Sequence, residues 1–331
     1  MKKLLGLLCL VLSLTMLFGC AAPAAPEAPA APATSAAPDA SEAPAAEETA
    51  APQVAAFSGK YVVDAKYVLD NAGKDGVLLV DARGEDVAKD GTADGAIAVI
   101  WQMFADVANG KPGDAMWGTL LEPAALSEVL STTGISPDKE IIIFAGAQKG
   151  WGDEGRVAWG LLAAGFPNVK IVDGGYDALV AAGVPTVKGA AAYKPAQVTI
   201  SSIDQKHMIN TDALVADYDS YKIVDVRADE EFDGQVLYGE AAGGHLPGAI
   251  HIRFTDLFKA DGTLKSNDEI VALFEAAGVQ KTDKVVTYCT KGIRSAYAQM
   301  VLEMCGYENT WNYDESYYRW CASQQVEQTQ K

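Results

Sequence analysis

Val285-Val286-Thr287-Tyr288-Cys289-Thr290-Lys291-Gly292-Ile293-Arg294-Ser295-Ala296 is the stretch of this chain whose reading decides the fold. A short β-branched and aromatic run ends on Cys289. A six-residue turn carrying Lys291, Gly292 and Arg294 follows, and a helical pattern then opens at Ser295 and Ala296. Strand, tight loop and helix N-terminus around one thiol form an arrangement that stabilises a thiolate. Loop N–H groups can converge on the sulfur, the positive end of the helix dipole faces it, and two cations sit nearby. A lone cysteine at a strand end is more often an inert core residue. Here the flanking Lys, Gly and Arg tip the reading toward a reactive thiol.

Working outward, the chain repeats itself. Leu78-Leu79-Val80-Asp81-Ala82-Arg83 parallels Lys222-Ile223-Val224-Asp225-Val226-Arg227, and Ile141-Ile142-Ile143-Phe144-Ala145 parallels Val285-Val286-Thr287-Tyr288-Cys289. Asp81 and Asp225 are 144 residues apart, as are Ala145 and Cys289. That period is too long for a solenoid and suits two whole domains. Within each copy, short apolar strands alternate with amphipathic helices, the pattern of an α/β fold with a mostly parallel sheet flanked by helices. In the second copy the spacing predicts a helix over 268–277, capped by Ser266 or Asn267. The expected domains are 57–190 and 203–325, with a connection over 190–202. The first copy has Ala145 where the second has Cys289, followed by a longer loop with Asp153 and Glu154, and Asp94-Gly95-Ala96-Ile97 where the second has Leu246-Pro247-Gly248-Ala249-Ile250. Lacking a thiol, the first domain is expected to be catalytically silent.

On these residues the chain resembles the tandem-domain rhodanese (sulfurtransferase) family. Cys289 to Ser295 match its C-x-x-G-x-[RT]-[SA] loop, and Asp225-Val226-Arg227 and Gly244-His245-Leu246-Pro247-Gly248-Ala249-Ile250 resemble its other signatures. The resemblance implies a sulfurtransferase in which Cys289 takes sulfur from a donor as a persulfide and passes it to a thiol or cyanide. It needs no cofactor. Thr290, Lys291, Gly292, Ile293, Arg294 and Ser295 would hold the substrate, their N–H groups facing the sulfur and Lys291 and Arg294 binding an anionic donor. Lys291 could instead be a solvated loop residue, and Arg294 could pair structurally with Asp225 or Glu231. Lys291-Gly292 is similar to the C-R-K-G-V-T loop of thiosulfate-type members, which favours thiosulfate over 3-mercaptopyruvate. Cys289 to Arg294 is C-x4-R, whereas phosphatases related to this fold use a wider C-x5-R loop. Two departures stand out. Glu231 sits where animal two-domain members have a substrate-contacting Arg, and Asp314-Glu315-Ser316-Tyr317 departs from D-G-[GS]-[WYF]. His245, Asp225 and Arg227 read as structural. A sulfur carrier or redox sensor with little turnover is the competing class.

The remainder sets the address. Lys2 and Lys3 precede an apolar run over 4–18 that ends in Leu17-Phe18-Gly19-Cys20, similar to a bacterial lipobox. This predicts a lipoprotein signal peptide over 1–20, lipidation of Cys20 and attachment to an extracytoplasmic membrane surface. Residues 21–56 are Ala- and Pro-rich and read as a disordered spacer. Loss of the leader takes the formal charge from −18 to −20, which disfavours nucleic acid as a partner. The expected partners are a small anionic sulfur donor and a thiol acceptor. No Cys-x-x-Cys pair occurs and only 3 His are present, so no metal site is expected. Cys305 and Cys321 could pair, or remain two buried thiols.

Overall fold

A computed structural model describes residues 55–329. The expected signal peptide, Cys20 and nearly all of the spacer lie outside the described residues. Two five-stranded sheets carry the fold. In the first domain the strands are β1 (Val62–Val63), β2 (Val77–Asp81), β3 (Ile97–Ala98), β4 (Glu140–Phe144) and β5 (Val169–Val172), in spatial order β1-β5-β4-β2-β3. In the second they are β6 (Met208–Ile209), β7 (Tyr221–Asp225), β8 (Ile250–His251), β9 (Lys284–Tyr288) and β10 (Thr310–Tyr313), in order β6-β10-β9-β7-β8. The two orders are the same once the domains are superposed in sequence, and every pairing is parallel. The two domains are copies of one α/β fold, as the spacing of the repeats predicts.

The central strand β9 explains itself. Val285, Val286, Thr287 and Tyr288 are all buried, with Val285 and Cys289 on one core and Val286 and Tyr288 on the other. A parallel strand covered on both faces needs such an unbroken apolar run. The helix predicted over 268–277 is α3 (Asn267–Ala276), and Ser266 caps it in a reciprocal box with Glu269. Helix α4 runs Ile293–Met304, two residues earlier than the sequence pattern suggests. Gly292 is the reason: its φ of 76° closes the turn in the left-handed region, so helical geometry begins at the next residue.

Helix α2 (Asp153–Ala163) of the first domain packs against α4 of the second, placing the two strand–loop–helix units side by side. Each domain also docks onto the other through an aspartate at a strand end. Asp173, after β5, accepts the Leu264 N–H at 2.7 Å, and Asp314, after β10, accepts the Leu120 N–H at 2.9 Å. Leu120 and Leu264 are themselves 144 residues apart, so the contact is duplicated with the domain. The connection over 190–202 is tied to helix α1 (Pro123–Thr133), where Ser131 and Ser127 accept the N–H groups of Val198 and Ile200.

Candidate active site

Cys289 follows β9 directly and is 1% exposed. Its backbone N–H donates to the Ser316 hydroxyl at 3.0 Å, and that hydroxyl donates to the Cys289 carbonyl at 2.9 Å. Ser316 adopts φ 57°, matching Gly175 at φ 58° in the first domain. A side chain in this region costs roughly 1–2 kcal/mol, offset here by two hydrogen bonds to the residue that carries the thiol. The departure at Glu315 also has a cause. Its first-domain counterpart Gly174 is left-handed, but Glu315 is helical, with a buried carboxylate that accepts the Thr211 N–H at 2.5 Å.

The sulfur meets the N–H groups of Lys291 and Ser295, and the Ser295 hydroxyl lies 3.7 Å away. Burial alone would push the thiol up. The Arg294 charge, those two N–H groups and the Ser295 hydroxyl outweigh it and hold Cys289 below the ordinary thiol range. Cys305 and Cys321 are pushed the other way by burial, Cys305 up to about 11. They lie in different cores as separate thiols, so the pairing alternative is not formed.

The loop residues divide by what they touch. Cys289, Thr290, Lys291, Ile293 and Arg294 line a cavity of about 420 Å³, while Gly292 and Ser295 lie outside its lining. Ser295 is fully buried and donates to Asn312 at 2.7 Å. Of the two cations, Arg294 takes the structural pairing that the sequence left open. Arg294 is bidentate to Glu231, with both nitrogens at 2.7 Å. Glu231, which replaces the expected arginine, thus pairs with the loop arginine, and Thr290 donates to it as well. Burial would raise Glu231, but Arg294 and Thr290 outweigh it and hold the carboxyl below its usual range. Lys291 is not a solvated loop residue. It is 4% exposed, and its ammonium donates to the Asp314 carbonyl at 3.1 Å. Gly118 of the first domain permits this, since a Cβ there would meet Lys291 Cε at 2.1 Å.

Several site residues escaped sequence reading because the first domain supplies them. Trp101, Trp117, Trp151 and Asp153 line the cavity opposite Cys289, facing Tyr238 and Tyr318 of the second domain. Arg156 reaches under the loop to Asp314 at 2.5 Å and to the carbonyls of Gly292 and Gly118 at 3.4 and 3.2 Å. The clustering of Trp101, Trp117 and Trp151 in the thiol-free copy was the available signal. His245 is stacked on Phe232 at 3.9 Å, outside the cavity. Arg227 pairs with the buried Asp225 and stacks on Tyr317 at 3.9 Å, as Arg83 pairs with Asp81 and stacks on Tyr176 at 3.8 Å. These are framework, repeated in both copies.

In the first domain, the space matching the thiol cradle is filled. Ala145 is fully buried, and Glu154 directs a carboxylate oxygen at the Ala147 N–H, 3.1 Å away. Burial pushes Glu154 up to about 8. Its folded value is raised, so the associated stability is complete below about pH 4.5 and is lost as pH climbs toward 8. Glu154→Gln is therefore expected to be neutral near pH 5 and stabilising by on the order of 2 kcal/mol at pH 8. Thermal unfolding of both proteins across that range measures it. A difference independent of pH would show that Glu154 folds in as a carboxylate.

Comparison with known proteins agrees with the fold and its duplication. The rhodanese-like domain family matches residues 64–182 and 206–323. A putative thiosulfate sulfurtransferase of Haloferax volcanii is 30% identical over 236 residues, covering 69% of this chain and 79% of the relative. A 3-mercaptopyruvate sulfurtransferase of Rattus norvegicus is 25% identical over 205 residues, covering 61% and 69%. The anaerobic ergothioneine biosynthesis enzyme of Chlorobium limicola shares the fold, with a TM-score of 0.72 at 18% identity, over 82% of this chain and 71% of that one. Rhodanese domains together with sulfurtransferase-named relatives at about 27–30% identity support sulfur transfer. With two family matches that cover most of the described residues and coincide with two sheets of one topology, the chain belongs to the rhodanese-like domain family, in tandem form.

Proposed function

We propose that this protein is a sulfurtransferase that moves sulfane sulfur from thiosulfate to a thiol or cyanide through a persulfide on Cys289. The observation that carries this reading is a buried thiol held below its ordinary range at the floor of a cavity, with two loop N–H groups aimed at its sulfur. The Cys289 thiolate attacks the outer sulfur of thiosulfate. The S–S bond of the donor breaks, sulfite departs with the electron pair, and the new S–S bond leaves a persulfide anion facing the same N–H groups. An acceptor thiolate or cyanide then takes the terminal sulfur and returns Cys289 as thiolate. A donor panel with cyanide as fixed acceptor tests the reading, with mass spectrometry for one added sulfur on Cys289. Preference for 3-mercaptopyruvate would change the donor. Sulfur loading without turnover would make the protein a carrier, and neither loading nor turnover would overturn the reading.

Lys291 gives this chemistry a pH limit. Burial pushes it down to about 8, against the pull of the Asp314 carboxylate. Its charge acts on the donor through space and disappears as pH rises past that value. The KM for thiosulfate is expected to rise several-fold between about pH 7 and 9. Lys291→Met should start from the higher KM and lose that pH dependence. An unchanged profile in Lys291→Met would remove Lys291 from donor binding.

The address is proposed from Leu17-Phe18-Gly19-Cys20 alone: lipid on Cys20 tethers the protein to an extracytoplasmic membrane face. Labelling with a fatty-acid analogue is expected in the wild type and not in Cys20→Ala. Equal labelling of the two would end this proposal.

A further inference from the structure

We infer that the sulfur acceptor is a low-molecular-weight organic thiol with a ring-sized apolar body, seated between aromatic walls above Cys289. This rests on the sulfur-transfer reading and deepens it. The cations around the thiol are already spoken for on one side and covered on the other. Arg294 is bidentate to Glu231, and its guanidinium lies 4.9 Å from the Trp151 ring centroid. Lys291 donates to the Asp314 carbonyl and lies 5.8 Å from the Trp117 centroid. Arg83, at the far wall, spends its guanidinium on Asp81 and the Gly91 carbonyl. What the cavity presents to an occupant is therefore chiefly aromatic.

Two ring pairs form its flanks, each with one ring from each domain. Trp151 meets Tyr238 edge-to-face at 5.3 Å, and Trp117 meets Tyr318 in the same way at 5.6 Å. Trp101 and Ile100 complete the wall. Aromatic groups placed edge-to-face favour a planar or apolar guest over a hydrated ion. The cavity of about 420 Å³ is also far larger than a small inorganic dianion requires, and falls within the range of sites that hold organic ligands. Among the described lining residues the one carboxylate is Asp153. Burial pushes its carboxyl up, and the Trp151 N–H donates to it at 3.4 Å.

The step balances without an added oxidant. The acceptor thiolate attacks the terminal sulfur of the Cys289 persulfide, the enzyme S–S bond breaks, and the electron pair returns to Cys289. The acceptor leaves as an organic persulfide anion.

The test fixes thiosulfate as donor and compares acceptors. Phenylmethanethiol and 2-mercaptoethanol have thiols of similar acidity, so intrinsic nucleophilicity does not separate them. The ratio of their kcat/KM values is expected to exceed about tenfold in favour of the aromatic thiol. In Trp101→Ala that ratio should fall severalfold, and in Trp101→Phe, which keeps a ring, it should be largely restored. Ile100→Ser serves as a second wall variant; its side chain is 42% exposed, so the substitution spares the core, and it too should lower the ratio. A ratio near one in the wild type, with cyanide turnover intact, overturns this inference and leaves sulfur transfer standing. A higher kcat/KM for thiocholine than for phenylmethanethiol, after correction for thiol acidity, overturns it in favour of a cationic guest. Absence of both cyanide turnover and sulfur loading overturns the underlying reading and this inference with it.

Discussion

Cys289→Ser is expected to lower sulfur transfer from thiosulfate to cyanide by at least about a thousandfold, because the hydroxyl is not ionised at neutral pH and cannot form a persulfide. The fold should survive. The side chain is buried, but the change is one atom of similar shape, and the loop is held by backbone contacts from Ser316 and the Tyr317 N–H. A stability change of about 1 kcal/mol is the expected scale. Steady-state kinetics and thermal unfolding on the same preparation separate the two effects, and turnover near the wild-type rate would remove Cys289 from the mechanism. In that background, Ala145→Cys is expected to stay inactive. The loop after Ala145 is longer, and the Glu154 carboxyl already takes the Ala147 N–H. Restored turnover would mean that the first cradle is competent and only its nucleophile is missing.

The second large effect is on stability and comes from the thiol-free domain. Arg156→Leu removes the cation that pairs with Asp314 at 2.5 Å and supports the Gly292 and Gly118 carbonyls. Both partners are nearly excluded from water. Deleting Arg156 leaves the buried Asp314 carboxylate with the Leu120 N–H and the Lys291 charge but without its ion-pair partner, and costs about 3–5 kcal/mol. Activity should fall as well, since Gly292 belongs to the Cys289 loop. Arg156→Leu combined with Asp314→Asn should recover part of the loss, because the stranded charge is then gone. Chemical denaturation of the two single variants and the double variant closes the cycle. A cost below about 1 kcal/mol for Arg156→Leu would mean that the pair is solvated.

Much of this molecule was legible in contiguous residues. The apolar run Val285 to Tyr288, the turn at Gly292 and the helix that follows are signalled by contiguous residues, although the strand is completed by pairing with β7 and β10 and the loop by Ser316. The same holds for the strand-end pairs Asp81–Arg83 and Asp225–Arg227, two residues apart in each case. The duplicated offset of 144 residues gave two domains, and the loss of the thiol at Ala145 marked the first as the copy without its nucleophile.

What the sequence could not say is which charges find each other. Arg294 and Glu231 are 63 residues apart, and Arg156 and Asp314 are 158 apart. A charge reads the same in sequence whether it meets water or a carboxylate. Lys291 and Arg294 beside a cysteine therefore read equally well as donor-binding cations or as a solvated lysine and a paired arginine, and the tertiary structure made Arg294 a buried ion pair with Glu231 and Lys291 a buried lysine pressed against Gly118. The cavity itself is a product of assembly, since its rings come from both domains and meet only across the interface. Sequence alone determined the thiol, its loop and the duplicated fold, because these follow from local backbone patterns. Only the tertiary structure decided how the thiol is surrounded, because burial and long-range pairing depend on which distant surfaces pack together.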